Sequence, residues 1–183
     1  MVQPESIAVA YVGADWESFV DADTLKEIIV SPTAGSSADA IAERVWRLSW
    51  SNMHFLNKLQ AKIYLSKTSA AIGNFNLTAN GLSGHALEEA GYVFGAPVQL
   101  KSMRTLYASF KTKAAREYHL QSKKGKQLSQ LKEINAKLRD AGLSVPASSR
   151  GRMLTEYEPL IDTDFYCAFF FLWNKIAGIA KNA

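Results

Sequence analysis

The chain has 183 residues, 48% of them apolar and 21% charged, with a formal net charge of +4 and a single cysteine. That length suits one domain with a real core, and no apolar run reaches the roughly 18 residues of a bilayer span. One Cys and three scattered His exclude an internal disulfide and form no zinc pattern, and Cys167 fits a reducing, cytoplasmic compartment. The opening MVQPESIAVAYVG has no basic segment ahead of its apolar stretch, so it reads as a first strand rather than a signal peptide.

Ser6 to Val12 is a β-rich apolar run closed by Gly13, and Asp15 is placed to cap a short helix through Val20. Leu25 to Val30 reads as the next strand, ended by Ser31-Pro32. In the following segment Ile41, Val45, Leu48 and Trp46 recur at helical spacing, with Arg44 and Arg47 on the wetter face. Strand, helix, strand, helix requires crossovers, hence an α/β fold whose sheet is mixed but mostly parallel and flanked by helices. Asn52 to Leu56 offers a further strand. IYLSKTSAAIG then reads as two strands joined at Ser66-Lys67-Thr68-Ser69.

Beyond Pro97 the texture becomes helical and basic. Met103, Leu106, Tyr107, Phe110 and Ala114 make one apolar face, and Leu128, Leu131, Ile134 and Leu138 make another, stopped at Gly142. Lys123-Lys124-Gly125-Lys126 between them predicts an exposed turn, so the pair is expected to form a basic C-terminal helical hairpin. Residues 101–140 hold eleven Lys and Arg against three acids, a local +8 that leaves −4 for the remainder. An anionic partner, nucleic acid first, is one reading of that charge; a solvated lysine-rich face is the other. The loop Pro146 to Arg152 is basic, and Phe165 to Trp173 is apolar enough for buried core or a subunit interface. The chain is thus expected to be a single domain over 1–183, with an α/β core over 1–97, a basic helical insertion over 98–145 and a core or interface segment over 146–183.

The residues with chemical spacing lie between Leu59 and Val93. Strand alternation places Gln60 and Lys62 on one face, and Asn74 and Asn76 on one face of the neighbouring strand. A hairpin would gather all four polar side chains. Gln60-Ala61-Lys62, then Gly73-Asn74-Phe75-Asn76, then Glu89-Ala90-Gly91-Tyr92-Val93 resemble the conserved element of the phospholipase D superfamily. That element has a His-x-Lys pair, a Gly-Ser-x-Asn and a glutamate before an apolar strand. Asn76-Leu77-Thr78 with Asn80-Gly81-Leu82 is most similar to its nuclease and restriction-endonuclease branch.

The resemblance implies a phosphodiester site at Gln60, Lys62, Asn74, Asn76 and Glu89, with no metal and no cofactor. In that family one histidine attacks phosphorus and a second protonates the leaving oxygen. Here glutamine occupies the histidine position and asparagine the serine position. An amide neither titrates nor attacks, so Gln60 fills neither role, and a phosphate clamp of one ammonium and three amides is what remains. His54, His85 and His119 are the histidines available to substitute. His85, in the loop before Glu89, lies nearest in sequence and reads as solvated.

A single copy of the element implies an isologous homodimer with the site shared between subunits. The basic residues expected to follow a nucleic-acid backbone, DNA before RNA, are Lys101, Arg104, Lys111, Lys113, Lys123, Lys124, Lys126, Arg150 and Arg152. Three functions stay open. The chain is a degenerate nuclease-like protein that binds phosphodiesters, an active metal-independent phosphodiesterase represented by a His-to-Gln60 inactive variant, or a protein-interaction module.

Overall fold

The computed structural model describes residues 3–82 and 89–142. Six strands form one mixed sheet: β1 (Ser6–Val9), β2 (Glu27–Val30), β3 (Met53–Phe55), β4 (Ile63–Leu65), β5 (Ala70–Gly73) and β6 (Gly91–Phe94). Their order is β3-β2-β1-β4-β5-β6. The pairings β1 with β2 and β2 with β3 are parallel, whereas β1 with β4, β4 with β5 and β5 with β6 are antiparallel. The α/β expectation holds in this form, but the sheet is not mostly parallel. The link between β4 and β5 is too short for a helical crossover, so those two strands form a hairpin, and β6 returns antiparallel beside β5 after α2 (Ala79–Leu82).

Strand alternation sends two sets of side chains to opposite faces. Ile7, Val9, Ile28, Val30, Tyr64 and Ala71 point into one core layer, and Ala8, Ile29, Ile63, Leu65, Ala70 and Phe94 into the other. The first layer is covered by the 3-10 turn Trp16–Ser18, α1 (Ala38–Asn52), α2 (Ala79–Leu82) and α4 (Gln121–Asp140). The second is covered by α3 (Pro97–Glu117) through Leu100, Met103, Tyr107 and Ala114.

The two basic helices therefore do not form a hairpin. They sit on opposite faces of the sheet and the chain passes the β3 edge between them, where Tyr118 meets Phe55 edge to face at 5.7 Å. The lysine-rich segment is not an exposed turn either, because it belongs to the first turns of α4. Lys124 is buried there, and its ammonium donates to the carbonyls of Trp50 and Met53, both at 2.6 Å. Those carbonyls lie where α1 ends, and a cation is the partner that exposed helix-end carbonyls favour.

α1 begins at a Ser37 cap that accepts the Ala40 N–H at 3.2 Å. It is broken at Ser49, whose φ of 66° lies in the left-handed region and turns the chain toward β3. Two residues in it depart from expectation. Arg44 is buried rather than wet, with its guanidinium 4.2 Å over the Trp16 ring and donating to the Ala22 carbonyl at 3.1 Å. Trp46, at 82% exposure, contributes nothing to the apolar stripe.

Beneath α3 lies a polar cluster centred on Glu27 at the start of β2. Its Oε1 accepts from the Ser6 hydroxyl at 3.2 Å, its Oε2 accepts from the Lys111 ammonium at 2.5 Å, and His54 Nε2 stands 3.6 Å away. The His54 imidazole, then Lys111, hold the carboxyl down to about 2 against the upward pull of burial. A folded-state value below the ordinary 4.5 stabilises the fold above pH 4.5, and that contribution is lost as pH falls from 4.5 to about 2. Denaturant unfolding of Glu27→Gln between pH 7 and 2 is expected to show lower stability at neutral pH and a shallower acid decline than the native chain. Parallel declines in the two proteins would contradict this assignment.

Candidate phosphate site at the sheet end

Because β5 runs with β1, the C-terminal ends of β1, β2, β3 and β5 share one end of the sheet with the starts of β4 and β6. Lys62 lies at this end, one residue before β4. The Gly73 N–H donates to the Lys62 carbonyl at 3.4 Å, which continues the hairpin ladder, and Gly73 in turn stands opposite Gly91 in β6. Lys62, Gly73 and Gly91 thus occupy one row across three strands. By alternation Lys62 shares its face with Tyr64.

Two glycines in that row are demanded by a neighbour. A Cβ on either Gly73 or Gly91 would overlap the Phe75 ring. The chain leaves β5, turns, and lays Phe75 over Gly73 of β5 and Gly91 of β6, with its ring 5.5 Å from that of Tyr64. The Tyr64 hydroxyl donates to the Phe75 carbonyl at 3.2 Å. Burial, and then the charge of Glu89, raise the Tyr64 phenol well above its ordinary range, so it is a neutral donor at the floor of the site.

Asn74 joins β5 to the start of β6. Its Oδ1 accepts the Ala90 N–H at 2.8 Å, and its own N–H donates to the Ala90 carbonyl at 3.1 Å. With the oxygen so fixed, the amide nitrogen is the donor that the Asn74 side chain has left to offer. Desolvation raises the Glu89 carboxyl above its ordinary value, opposed by the positive charge of Lys62 and the amide of Asn74. Lys62, just before β4, and Asn74 and Glu89, between β5 and β6, therefore lie at the same end of the sheet.

Asn76 is held differently. Its Oδ1 accepts the Tyr11 N–H at 3.2 Å, which ties the segment after β5 to the end of β1. Leu77 N–H to Tyr11 carbonyl at 3.2 Å and Gly13 N–H to Leu77 carbonyl at 2.8 Å complete a short parallel bridge. Close approach requires glycine again at Gly81, where a Cβ would stand 2.6 Å from the Asn76 backbone. Gln60 is exposed, two residues ahead of Lys62.

The basic residues divide. Lys111 and Lys124 are bonded inside the fold, and Arg104 donates to the Lys67 carbonyl at 2.6 Å, which fastens the β4–β5 turn to α3. Lys113 is exposed beside the Phe110 ring at 5.7 Å, and Lys101, Lys123 and Lys126 are exposed. Lys101 and Lys113 belong to α3 and Lys123 and Lys126 to α4, so these four lie on two helices on opposite faces of the sheet. His54 is on β3 beside Glu27, and His119 lies in the α3–α4 link. His85, Glu88, Arg150, Arg152 and the segment 165–173 lie outside the described residues.

Sequence reasoning missed Tyr64, Phe75 and Tyr11. The period-2 spacing of Lys62 and Tyr64 signals the first; nothing local signals the bond between Asn76 and Tyr11. Compared with known proteins, the chain matches no family model and no curated protein sequence.

The Phe75 contact generates a test. Gly91→Ala is expected to destabilise the fold by about 1–3 kcal/mol, the range for forcing a methyl into a packed contact. In a double-mutant cycle by chemical unfolding, Phe75→Ala should remove part of that penalty, the rest remaining with the Ile72 carbonyl oxygen 2.9 Å from the added Cβ. A full penalty in the Phe75→Ala background would show that the ring is not what excludes the methyl.

Proposed function

We propose that this protein binds nucleic-acid phosphodiesters through a phospholipase D-like site that has lost its nucleophile. The observation that carries the reading is the placement of Lys62, Asn74 and Glu89 at one end of the sheet, with Asn76 anchored to the end of β1 and an amide at position 60. An ammonium supplies charge to a phosphoryl oxygen and the amides supply directed donors. Ligands of open α/β sheets gather where the strand order reverses, which here is the β1/β4 boundary next to Lys62. Gln60 provides neither a lone pair for attack at phosphorus nor a proton for the leaving oxygen, so binding without turnover is the chemistry these groups support.

The exposed Lys123 and Lys126 of α4, the helix on the sheet face that Lys62 shares, extend this reading to a polyanion, with DNA as the first ligand. Two copies related by a two-fold axis would bring two Lys62 ammonium groups to one phosphate and double the charge that holds it. Sedimentation with and without a DNA duplex is the measurement of that assembly.

Duplex affinity is expected to fall linearly with the logarithm of salt, with a slope of about 0.9 per neutralised phosphate. Lys62→Ala should weaken binding across all sequences and reduce that slope by about 1. Affinity that ignores both salt and Lys62→Ala would remove the proposal.

The alternative of an inactivated enzyme rests on the exposure of Gln60, which leaves room for a histidine two residues from Lys62. Gln60→His assayed in chelator on a generic phosphodiester separates the two. The binding role predicts continued silence, and recovered cleavage would identify a phosphodiesterase scaffold.

A further inference from the structure

We propose that the free edge of β6 pairs with β6 of a second copy of this chain, antiparallel about a two-fold axis at Val93, to make one continuous sheet. This goes beyond the phosphate-site reading and does not depend on it. The two edges of the sheet are treated differently. All three residues of β3 are buried, the Tyr118 ring packs on Phe55 at 5.7 Å, and the Lys124 ammonium donates to the Met53 carbonyl at 2.6 Å. β6 ends the other side of the sheet, and Gly91, Tyr92 and Gly95 are exposed. Among the described residues no strand lies beyond it. It also lacks the charges by which edge strands refuse partners, since residues 90–100 contain neither acid nor base.

The backbone shows which groups this edge offers. The Asn74 N–H donates to the Ala90 carbonyl at 3.1 Å, whereas the Gly73 N–H turns away to Lys62 on the β4 side. Hydrogen-bonded and non-hydrogen-bonded pairs alternate along an antiparallel ladder. With Ile72 opposite Tyr92 and Gly73 opposite Gly91, Tyr92 and Phe94 therefore direct their backbone groups to β5. Gly91, Val93 and Gly95 turn theirs outward.

That edge is its own complement. Gly91-Tyr92-Val93-Phe94-Gly95 has glycine at both ends, an aromatic residue at both inner positions and valine at the centre, so its pattern reads alike in both directions. Pairing about Val93 sets Val93 against Val93, and Gly91 against Gly95 of the second copy, so all three outward residues exchange hydrogen bonds. Tyr92 then meets Phe94 of the second copy in the closer, non-hydrogen-bonded pairs, where aromatic contacts are favourable. Tyr92 and Phe94 already stack at 5.7 Å, so four rings gather on one face. On the other face, a glycine opposite Gly91 leaves space for the Phe75 ring that lies over it. A strand of unrelated sequence gains nothing from this symmetry, which selects a second copy as the occupant. The assembly stops at two because the β3 edges are covered.

At about 4.8 Å per strand, the five spacings between the two β4 strands keep the Lys62 groups at least about 24 Å apart. This axis is therefore distinct from one that sets two Lys62 on a single phosphate. Five residues a side cover less than the roughly 1,200 Å² of a standard interface, so the dimer dissociates on dilution.

Sedimentation of the full chain without nucleic acid, across a concentration series, tests the pairing. A monomer–dimer equilibrium is expected, and Tyr92→Lys should raise its dissociation constant at least about tenfold by setting a charge against the rings of the second copy. Val93→Pro removes an outward N–H and none from the β5 ladder, and should do the same. Cross-linking in a Cys167→Ser background reads the register, and decides the matter if either of those variants fails to fold. Val93→Cys puts two thiols at a hydrogen-bonded pair with Cα atoms about 5.5 Å apart, within disulfide reach. Tyr92→Cys puts them at diagonal positions about 7–8 Å apart, beyond it. A disulfide dimer from Val93→Cys and none from Tyr92→Cys is the expected result. A native chain that is monomeric at every concentration overturns the proposal, and an edge covered by the chain's own residues 165–173 would give that result. A dimer that survives both Tyr92→Lys and Val93→Pro, or that bridges through Tyr92→Cys and not Val93→Cys, overturns it too. Neither outcome bears on the phosphate site, which these substitutions do not touch.

Discussion

The Phe75 ring packed on Gly73 and Gly91 is the contact from which the site end of the sheet is built. It forces the chain to reverse immediately after β5. That reversal puts Asn74 against the start of β6 and Asn76 against the end of β1. A larger residue at either glycine would lift the ring, and both asparagine bonds would lose their geometry together. Precision at the polar groups is thus supplied by an apolar ring and by two missing side chains, a common arrangement where a backbone must approach closely.

The other end of the sheet solves a different problem. Glu27, Ser6, His54 and Lys111 form a charged cluster beneath α3, and Lys124 performs a comparable task for α1 on the opposite face. In each case a lysine ammonium finds an acceptor within the fold. Net charge alone is a poor guide to the binding surface for this reason. Part of the basic segment holds helices to the sheet, and the exposed lysines of α3 and α4 lie on helices that cover opposite faces.

The local parts of the fold were legible and the distant ones were not. The apolar runs of β1 and β2 and the Ser66-to-Ser69 turn announce themselves through composition within a few residues. Sheet direction is decided by which strands meet, and β1 meets β4 across a long stretch of chain that carries no pairing signal. The misplacement of α4 has a similar origin, because a lysine-rich amphipathic helix reads alike whether it packs on α3 or on the far face. Arg44 looked wet because the Trp16 ring that shelters its guanidinium lies far away in sequence. At the candidate site, the row from Lys62 to Gly73 follows from hairpin register. The tie between Asn76 and Tyr11 has no local trace.

The central position of β1 has a consequence for synthesis. It leaves the ribosome ahead of the other five strands of the sheet, yet Ser6 pairs with Glu27 on one side and with Leu65 on the other. At about 5–20 residues per second, roughly three to twelve seconds separate the emergence of Ser6 from that of Leu65. Throughout that interval the nascent chain carries an apolar strand with a bare flank, so the late arrival of β4 both closes the sheet and ends the period of greatest exposure to wrong partners.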